Sequence, residues 1–319
     1  MKAPVEENDG GVASSAVAPS ALSAPAVLAF GAARARLADY IELTKPRISM
    51  LVLLVTAVGF ALASPETIDS TLMAHALLGT ALVAIGANAL NQVIEHDADR
   101  LMPRTATRPI PSGRLGCSQA CAFGTASALI GSSYLALTVN PLAALLAVAT
   151  IALYLFAYTP LKRRSVYNTL VGAVPGALPA LIGFAAARGA LTAPAWMLFA
   201  IVWVWQLPHF FAIAWMYRED YARGGFRMLS RADPDGARTG RWVVICSVVL
   251  LPASLLPFWT GVAGGAYGAG AAMFGTVLLL VGIRSSVLRT AGSARIMVIA
   301  SVLYLPALLI LMLLDRVQG

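Results

Sequence analysis

The chain has 319 residues, 59% hydrophobic and only 12% charged, with a formal net charge of +8. A soluble domain carries roughly 25% charged residues, so the composition excludes a water-soluble globular protein. The repeated apolar runs of helical length exclude a β-barrel. The positive balance does not mark a nucleic-acid binder, because the basic residues sit at the ends of the apolar runs and not on one patch. Cys117, Cys121 and Cys246 offer neither a disulfide framework nor a metal-ligand pattern, and read as small packing residues.

In chain order, residues 1–33 are rich in Ala, Ser and Pro and carry Glu6, Glu7 and Asp9, the composition of a disordered tail. The tail lacks the arginine-rich character of a mitochondrial transit peptide and the order of a signal peptide. The remainder, 34–319, reads as one membrane domain, entered through a short basic, amphipathic stretch from Arg34 to Arg47 that lies at the interface. Nine spans are expected near 48–63, 71–95, 118–138, 142–158, 166–186, 194–217, 242–261, 265–283 and 294–314. Basic connections alternate without a break with ones that carry at most one basic residue, which puts the amino terminus in the cytoplasm and the carboxyl terminus across the membrane. The basic connections after the second, fourth and sixth spans therefore share the cytoplasmic face, where chemistry is expected.

The second span ends in Asn91-Gln92-Val93-Ile94-Glu95-His96-Asp97-Ala98-Asp99. On a continuing helix Asn91, Glu95 and Asp99 stack on one face, and three oxygen-bearing side chains there form half of a Mg²⁺ or Ca²⁺ site. The loop that follows brings Arg100, Arg104 and Arg108 beside them. Acids for a hard cation and arginines for an anion point to a metal–polyphosphate substrate. The plainer alternative is a helix end neutralised by its own topogenic loop charges.

The sixth span carries Trp205-Gln206-Leu207-Pro208-His209-Phe210 and ends in Arg218-Glu219-Asp220-Tyr221. Pro208 is expected to kink it and free a backbone carbonyl. His209 is either a hydrogen-bonded packing residue or a contact to haem iron or another substrate group. The deep aromatics suit walls around a polyene chain or a planar ring. Spans two and six thus look like a diverged repeat that aims acids and basic loops at one cavity, with Lys162 and Arg163 as phosphate contacts or ordinary topogenic charges.

The Asn91–Asp99 run followed by Arg104-Thr105-x-x-Arg108-Pro109-x-Pro111-Ser112-Gly113 resembles the first motif of the UbiA superfamily of intramembrane prenyltransferases. The stretches around Lys45-Pro46-Arg47, Lys162-Arg163-Arg164, Pro208-His209-Phe210 and Arg218-Glu219-Asp220-Tyr221 are similar to its haem-farnesylating branch. The resemblance spans about Tyr40 to the carboxyl terminus. It implies an all-α, nine-helix bundle that transfers farnesyl from farnesyl diphosphate to a vinyl group of haem B, forming haem O. Asn91, Glu95, Asp99 and Asp220 would then hold Mg²⁺, with Arg218 beside them. Arg104, Arg108, Lys162, Arg163 and Lys45 would grip the diphosphate, and His209, Trp205 and Tyr221 would contact haem.

Two departures stand out. Glu95 replaces an Asp found in many members, and Tyr217 or its neighbour stands where quinone-type members have the first Asp of the second motif. A second Mg²⁺ is therefore not implied, and Arg218 is a source of the missing positive charge. A haem A synthase and terminal oxidase assembly factors are the partners the family implies, in a bacterial plasma membrane or, as the alternative, a mitochondrial inner membrane. Prenylation of an aromatic quinone precursor, or haem carriage without chemistry, are the competing functions.

Overall fold

Apolar segments of 18 to 32 residues can satisfy their backbone in a bilayer only as helices, and helices are what the chain forms. The computed structural model describes residues 1–3, 24–64 and 67–317. Of the tail expected over 1–33, residues 4–23 lie outside the described residues. The backbone is already helical from Ala24, ahead of the lead-in expected at Arg34.

After α1 (Ala24–Leu43) come α2 (Pro46–Ala63), α3 (Ser70–Leu101) and α4 (Cys117–Thr138). Next, α5 (Pro141–Ala152) runs through a π-helical turn (Leu153–Tyr158) into α6 (Thr159–Arg164), making one crossing. Then follow α7 (Asn168–Arg188), α8 (Ala193–Met216), the short α9 (Arg218–Arg223), α10 (Ala237–Trp259), α11 (Gly265–Leu288) and α12 (Ala291–Leu314). Among the described residues nine helices are long and apolar enough to cross a membrane, as the sequence leads one to expect. α8 is helical throughout, Pro208 included.

α3 outruns its expected span by six residues, from Glu95 to Leu101, so the whole acidic run stays on one continuous helix. Asp69 starts it, its carboxylate accepting from the Leu72 amide at 2.9 Å.

The most enclosed helices are α7 and α8, whose apolar windows are 67% and 61% buried against 39% or less for the other crossings. They form the centre, and the remaining helices show large apolar side chains such as Leu129, Leu280 and Val287 outwards, toward lipid. With lipid as apolar as leucine, helices associate through close packing of small residues. α2 and α7 do this reciprocally: a Cβ on Gly59 would strike the Ala180 carbonyl, and one on Gly183 the Thr56 carbonyl. At the far end of α2 from Lys45, Arg316 donates to the Ala61 and Ser64 carbonyls, and Arg188 Nε to Ala63 O at 2.7 Å, closing that end of the bundle.

Replacing Gly183 with Leu should therefore lower stability by roughly 1–3 kcal/mol through overpacking at this crossing. The thermal midpoint of the detergent-purified protein measures it; a wild-type midpoint would show that the α2–α7 contact does not depend on the missing side chain.

Candidate active site

Because α3 does not end at Glu95, Asn91, Glu95 and Asp99 stand one above the next, all within the bundle; they are only 2%, 6% and 1% exposed. Each meets a cation from a different part of the chain. Lys45 Nζ donates to Asn91 Oδ1 at 3.2 Å. Lys162 Nζ reaches both oxygens of Glu95, at 2.7 and 3.0 Å. Arg108 Nη1 lies 2.7 Å from Asp99 Oδ2.

Lys45 is delivered by a strained turn. It is a non-glycine residue at φ 50°, ψ 65°, directly before Pro46, a combination that sterics disfavour. Three side chains hold the turn. Gln92 Nε2 donates to Leu43 O at 2.8 Å, while Asn88 Nδ2 and Ser49 Oγ donate to Thr44 O at 3.2 and 2.9 Å. Strain of this kind persists only where surroundings over-determine it, commonly at functional sites. Burial, reinforced by the like charges of Arg108 and Lys162, lowers the Lys45 pKa from its ordinary value to about 7.

Lys162 is delivered by the π-helical turn. The turn brings Tyr158 under it, with Nζ 4.6 Å from the ring centroid, and Phe226 flanks it at 5.7 Å. Thr159 follows directly; its Oγ1 donates to Tyr154 O at 2.7 Å and accepts from Asn91 Nδ2 at 3.2 Å. Arg227 N donates to Lys162 O at 2.7 Å, so the segment after α9 is fastened to the same place. π turns recur at functional sites because they re-aim side chains; here the re-aimed groups are an aromatic ring and an ammonium.

The loop after α3 is anchored by Thr105, whose Oγ1 donates to Asp99 O at 2.9 Å. That anchor sets Arg108 against Asp99 and sends Arg104 across to the end of α8, where its guanidinium stacks 4.3 Å from the Tyr217 ring and 5.6 Å from Tyr221. Arg114, in the same loop, pairs with Asp39 and Glu42 of α1.

The sixth span ends differently from the second. α8 stops at Met216, Tyr217 breaks the helix at φ −111°, ψ 27°, and α9 restarts at Arg218. Asp220 Oδ1 accepts from Arg223 at 3.3 Å. Arg218 folds back on Trp215, 4.7 Å from the ring, and donates to its carbonyl at 3.2 Å. Arg163 is exposed and lines a shallow pocket with Asp97, Leu101 and Arg223, apart from the Lys162–Glu95 pair. Tyr221 packs edge-on to Phe226 and joins Ala98, Met102 and Ala214 in a cluster that holds α9 against α3.

Of the residues singled out from sequence, the structure thus unites Lys45, Asn91, Glu95, Asp99, Arg108 and Lys162. Arg104 and Tyr221 border them, while Arg163, Arg218 and Asp220 make other contacts. Thr159, Asn88 and Gln92 are additional. Polar side chains repeated along the apolar run of α3 were the available signal for the last two. Further inside, roughly two turns before the end of α8, His209 Nδ1 is 2.7 Å from Ser301 Oγ, and its ring stacks on Trp205 at 5.5 Å and 18°.

Chemically, the α3 face offers two carboxylates and an amide oxygen, a hard donor set suited to one divalent ion that keeps some other ligands. Amino-acid cations stand in for that ion on each side chain. Among the described residues no three His, Cys, Asp or Glu side chains stand together as a metal cluster. With three cations to two carboxylates along this face when Lys45 is charged, the surplus is positive and suits an anionic guest.

This acid-lined, cation-rich end stands on a bundle that has, among the described residues, nine helices long and apolar enough to cross a membrane. The chain belongs to the UbiA prenyltransferase family, whose model matches residues 52–313. A protoheme IX farnesyltransferase of Solibacter usitatus is 49% identical over 287 residues, covering 87% of this chain and 98% of that one. A protoheme IX farnesyltransferase of Salinibacter ruber is 45% identical over 277 residues, covering 87% and 98%. Among solved structures, a digeranylgeranylglyceryl phosphate synthase superposes with a TM-score of 0.73 at 16% identity, covering 88% of this chain and 98% of that one. A UbiA homolog from Archaeoglobus fulgidus bound to DMAPP and Mg²⁺ gives 0.62 at 16%, covering 85% and 99%.

The Lys162–Glu95 pair, with side chains 12% and 8% exposed, yields a sharp expectation. Lys162→Met strands a buried carboxylate and should cost about 3–5 kcal/mol, whereas the double variant with Glu95→Gln should recover most of the loss. Denaturation midpoints of the single and double variants measure this coupling; losses that simply add would mean that the two side chains do not act as a pair.

Proposed function

We propose that this protein transfers the farnesyl group of farnesyl diphosphate to a vinyl group of haem B, producing haem O. The observation that carries the reading is the α3 ladder, in which Asn91, Glu95 and Asp99 each face a cation drawn from a separate segment of the chain. The names of the relatives supply the acceptor. The orientation follows from charge: the end holding Lys45, Arg108 and Lys162 is cytoplasmic, in a bacterial plasma membrane like that of the bacterial relatives.

In the proposed cycle Lys162 and Arg108 swing from the carboxylates onto the diphosphate oxygens, and Lys45 joins them. Asn91, Glu95 and Asp99 would then hold Mg²⁺. The bound ion would neutralise charge on the leaving diphosphate, as a Lewis acid does. Arg104 closes over the same end from its seat on Tyr217, and Arg163 and Arg218 are the reserve of positive charge at the rim. Asp220 stays with Arg223, so a single ion suffices.

As the allylic C–O bond breaks, its electron pair leaves with the diphosphate, and fixed cations stabilise that charge in a dry site. The apolar walls keep water from the farnesyl cation. The haem vinyl π-electrons attack the terminal allylic carbon. Water then adds to the resulting cation beside the porphyrin and loses a proton to solvent, leaving a hydroxyethylfarnesyl side chain. His209, stacked on Trp205, contacts the haem, with Tyr221 nearer the diphosphate end.

Purified protein in nanodiscs, supplied with farnesyl diphosphate, haem B and Mg²⁺, should yield haem O by mass spectrometry together with pyrophosphate, and chelation should stop both. Asp99→Asn should lower the rate by at least about 100- to 1,000-fold, the scale of losing one electrostatic stabiliser. An Asp99→Asn protein with a wild-type thermal midpoint and wild-type haem O output contradicts the reading.

A further inference from the structure

Ser301 sits on α12, fully buried, and gathers three polar contacts at one spot. Its hydroxyl donates to the Val298 carbonyl at 2.8 Å. Its carbonyl accepts from Trp205 Nε1 at 2.7 Å. Its Oγ also lies 2.7 Å from His209 Nδ1. A hydroxyl has one proton to give, and here it is directed at Val298. With that proton on the Val298 carbonyl, the serine oxygen is left to accept from His209, the arrangement in which Nδ1 carries the imidazole proton and Nε2 keeps a lone pair.

That nitrogen has no hydrogen-bond partner among the described residues. Nor is it among the sealed polar atoms without a partner, which are Thr80 Oγ1, Trp203 Nε1 and Ser230 Oγ. Nε2 is thus not fully enclosed by its neighbours. The ring cannot turn away: Trp205 stacks on one face, and Trp205 is itself fixed by the same serine's carbonyl. An oriented imidazole with a free lone pair, inside an apolar helix, is poised to meet an electron-pair acceptor.

We infer that Ser301 is a positioning residue that locks His209 in its Nδ1–H tautomer and presents Nε2 to the iron of the haem acceptor. The inference rests on the haem reading above. The partner on the far nitrogen fixes ring orientation and raises the basicity of the ligating nitrogen, as such partners do at other metal-bound histidines. Farnesyl transfer itself changes a vinyl group at the porphyrin edge and leaves the iron's oxidation state alone. Ligation therefore serves to fix how the ring is presented.

The test titrates haem B into the full-length detergent-purified protein and records the ferrous iron–imidazole stretch by resonance Raman. Wild type should show the stretch, and His209→Ala should lose it. Ser301→Ala should keep it at lower frequency, with haem affinity reduced about 10- to 100-fold, while affinity for a farnesyl thiodiphosphate is unchanged. If Ser301→Ala does not accumulate, Ser301→Cys fills the same space with a poor acceptor and should also lower the frequency. Wild-type frequency and affinity in the serine variants would overturn the role of Ser301. A stretch missing from wild type, or retained in His209→Ala, would overturn ligation by His209 while leaving farnesyl transfer to be judged by its own assay.

Discussion

Two carboxylates buried in a membrane bundle are tolerable only if each has a positive partner, and the cytoplasm-proposed end of this protein is arranged to provide one. Glu95 and Asp99 lie on an uninterrupted helix at 6% and 1% exposure. Unpaired, either would be expelled or protonated, because the desolvation cost of a lone ion exceeds what packing can offset. The π-helical turn before Lys162 and the anchored loop around Arg108 are two separate solutions to that one requirement, and the strained turn at Lys45 adds a third cation at the Asn91 amide.

Such pairs are weak grounds for claiming stability, since apolar residues of similar volume often serve as well. Their retention at one end of the bundle, beside a backbone held in an unfavourable conformation, is better explained by work done on a guest. The same cations that neutralise the acids can neutralise a diphosphate, and the acids they release can take a metal. A site built this way stays balanced both before and after its ligand arrives. At the opposite end, Arg188 and Arg316 donate to backbone carbonyls.

Much of this was legible in the sequence. Four-residue spacing put Asn91, Glu95 and Asp99 on one face, and apolar run lengths gave nine crossings. What local pattern cannot convey is which distant groups meet. Lys162 and Arg108 read as phosphate contacts, yet in the structure they sit on the carboxylates, a pairing between elements that spacing does not encode. The second and sixth spans looked alike until Tyr217 broke the latter, turning Asp220 toward Arg223. Ser301 was invisible, because a serine in an apolar helix usually serves its own backbone, and its partner His209 lies 92 positions away.

The most direct test of the central claim is metal binding followed by Mn²⁺ electron paramagnetic resonance on the purified protein, with and without farnesyl thiodiphosphate. If the lysine and arginine partners must be drawn onto the diphosphate before the α3 oxygens are free, Mn²⁺ alone will bind weakly and the thiodiphosphate will raise its affinity at least tenfold. Equal Mn²⁺ affinity in both conditions, or no binding in either, would contradict the account.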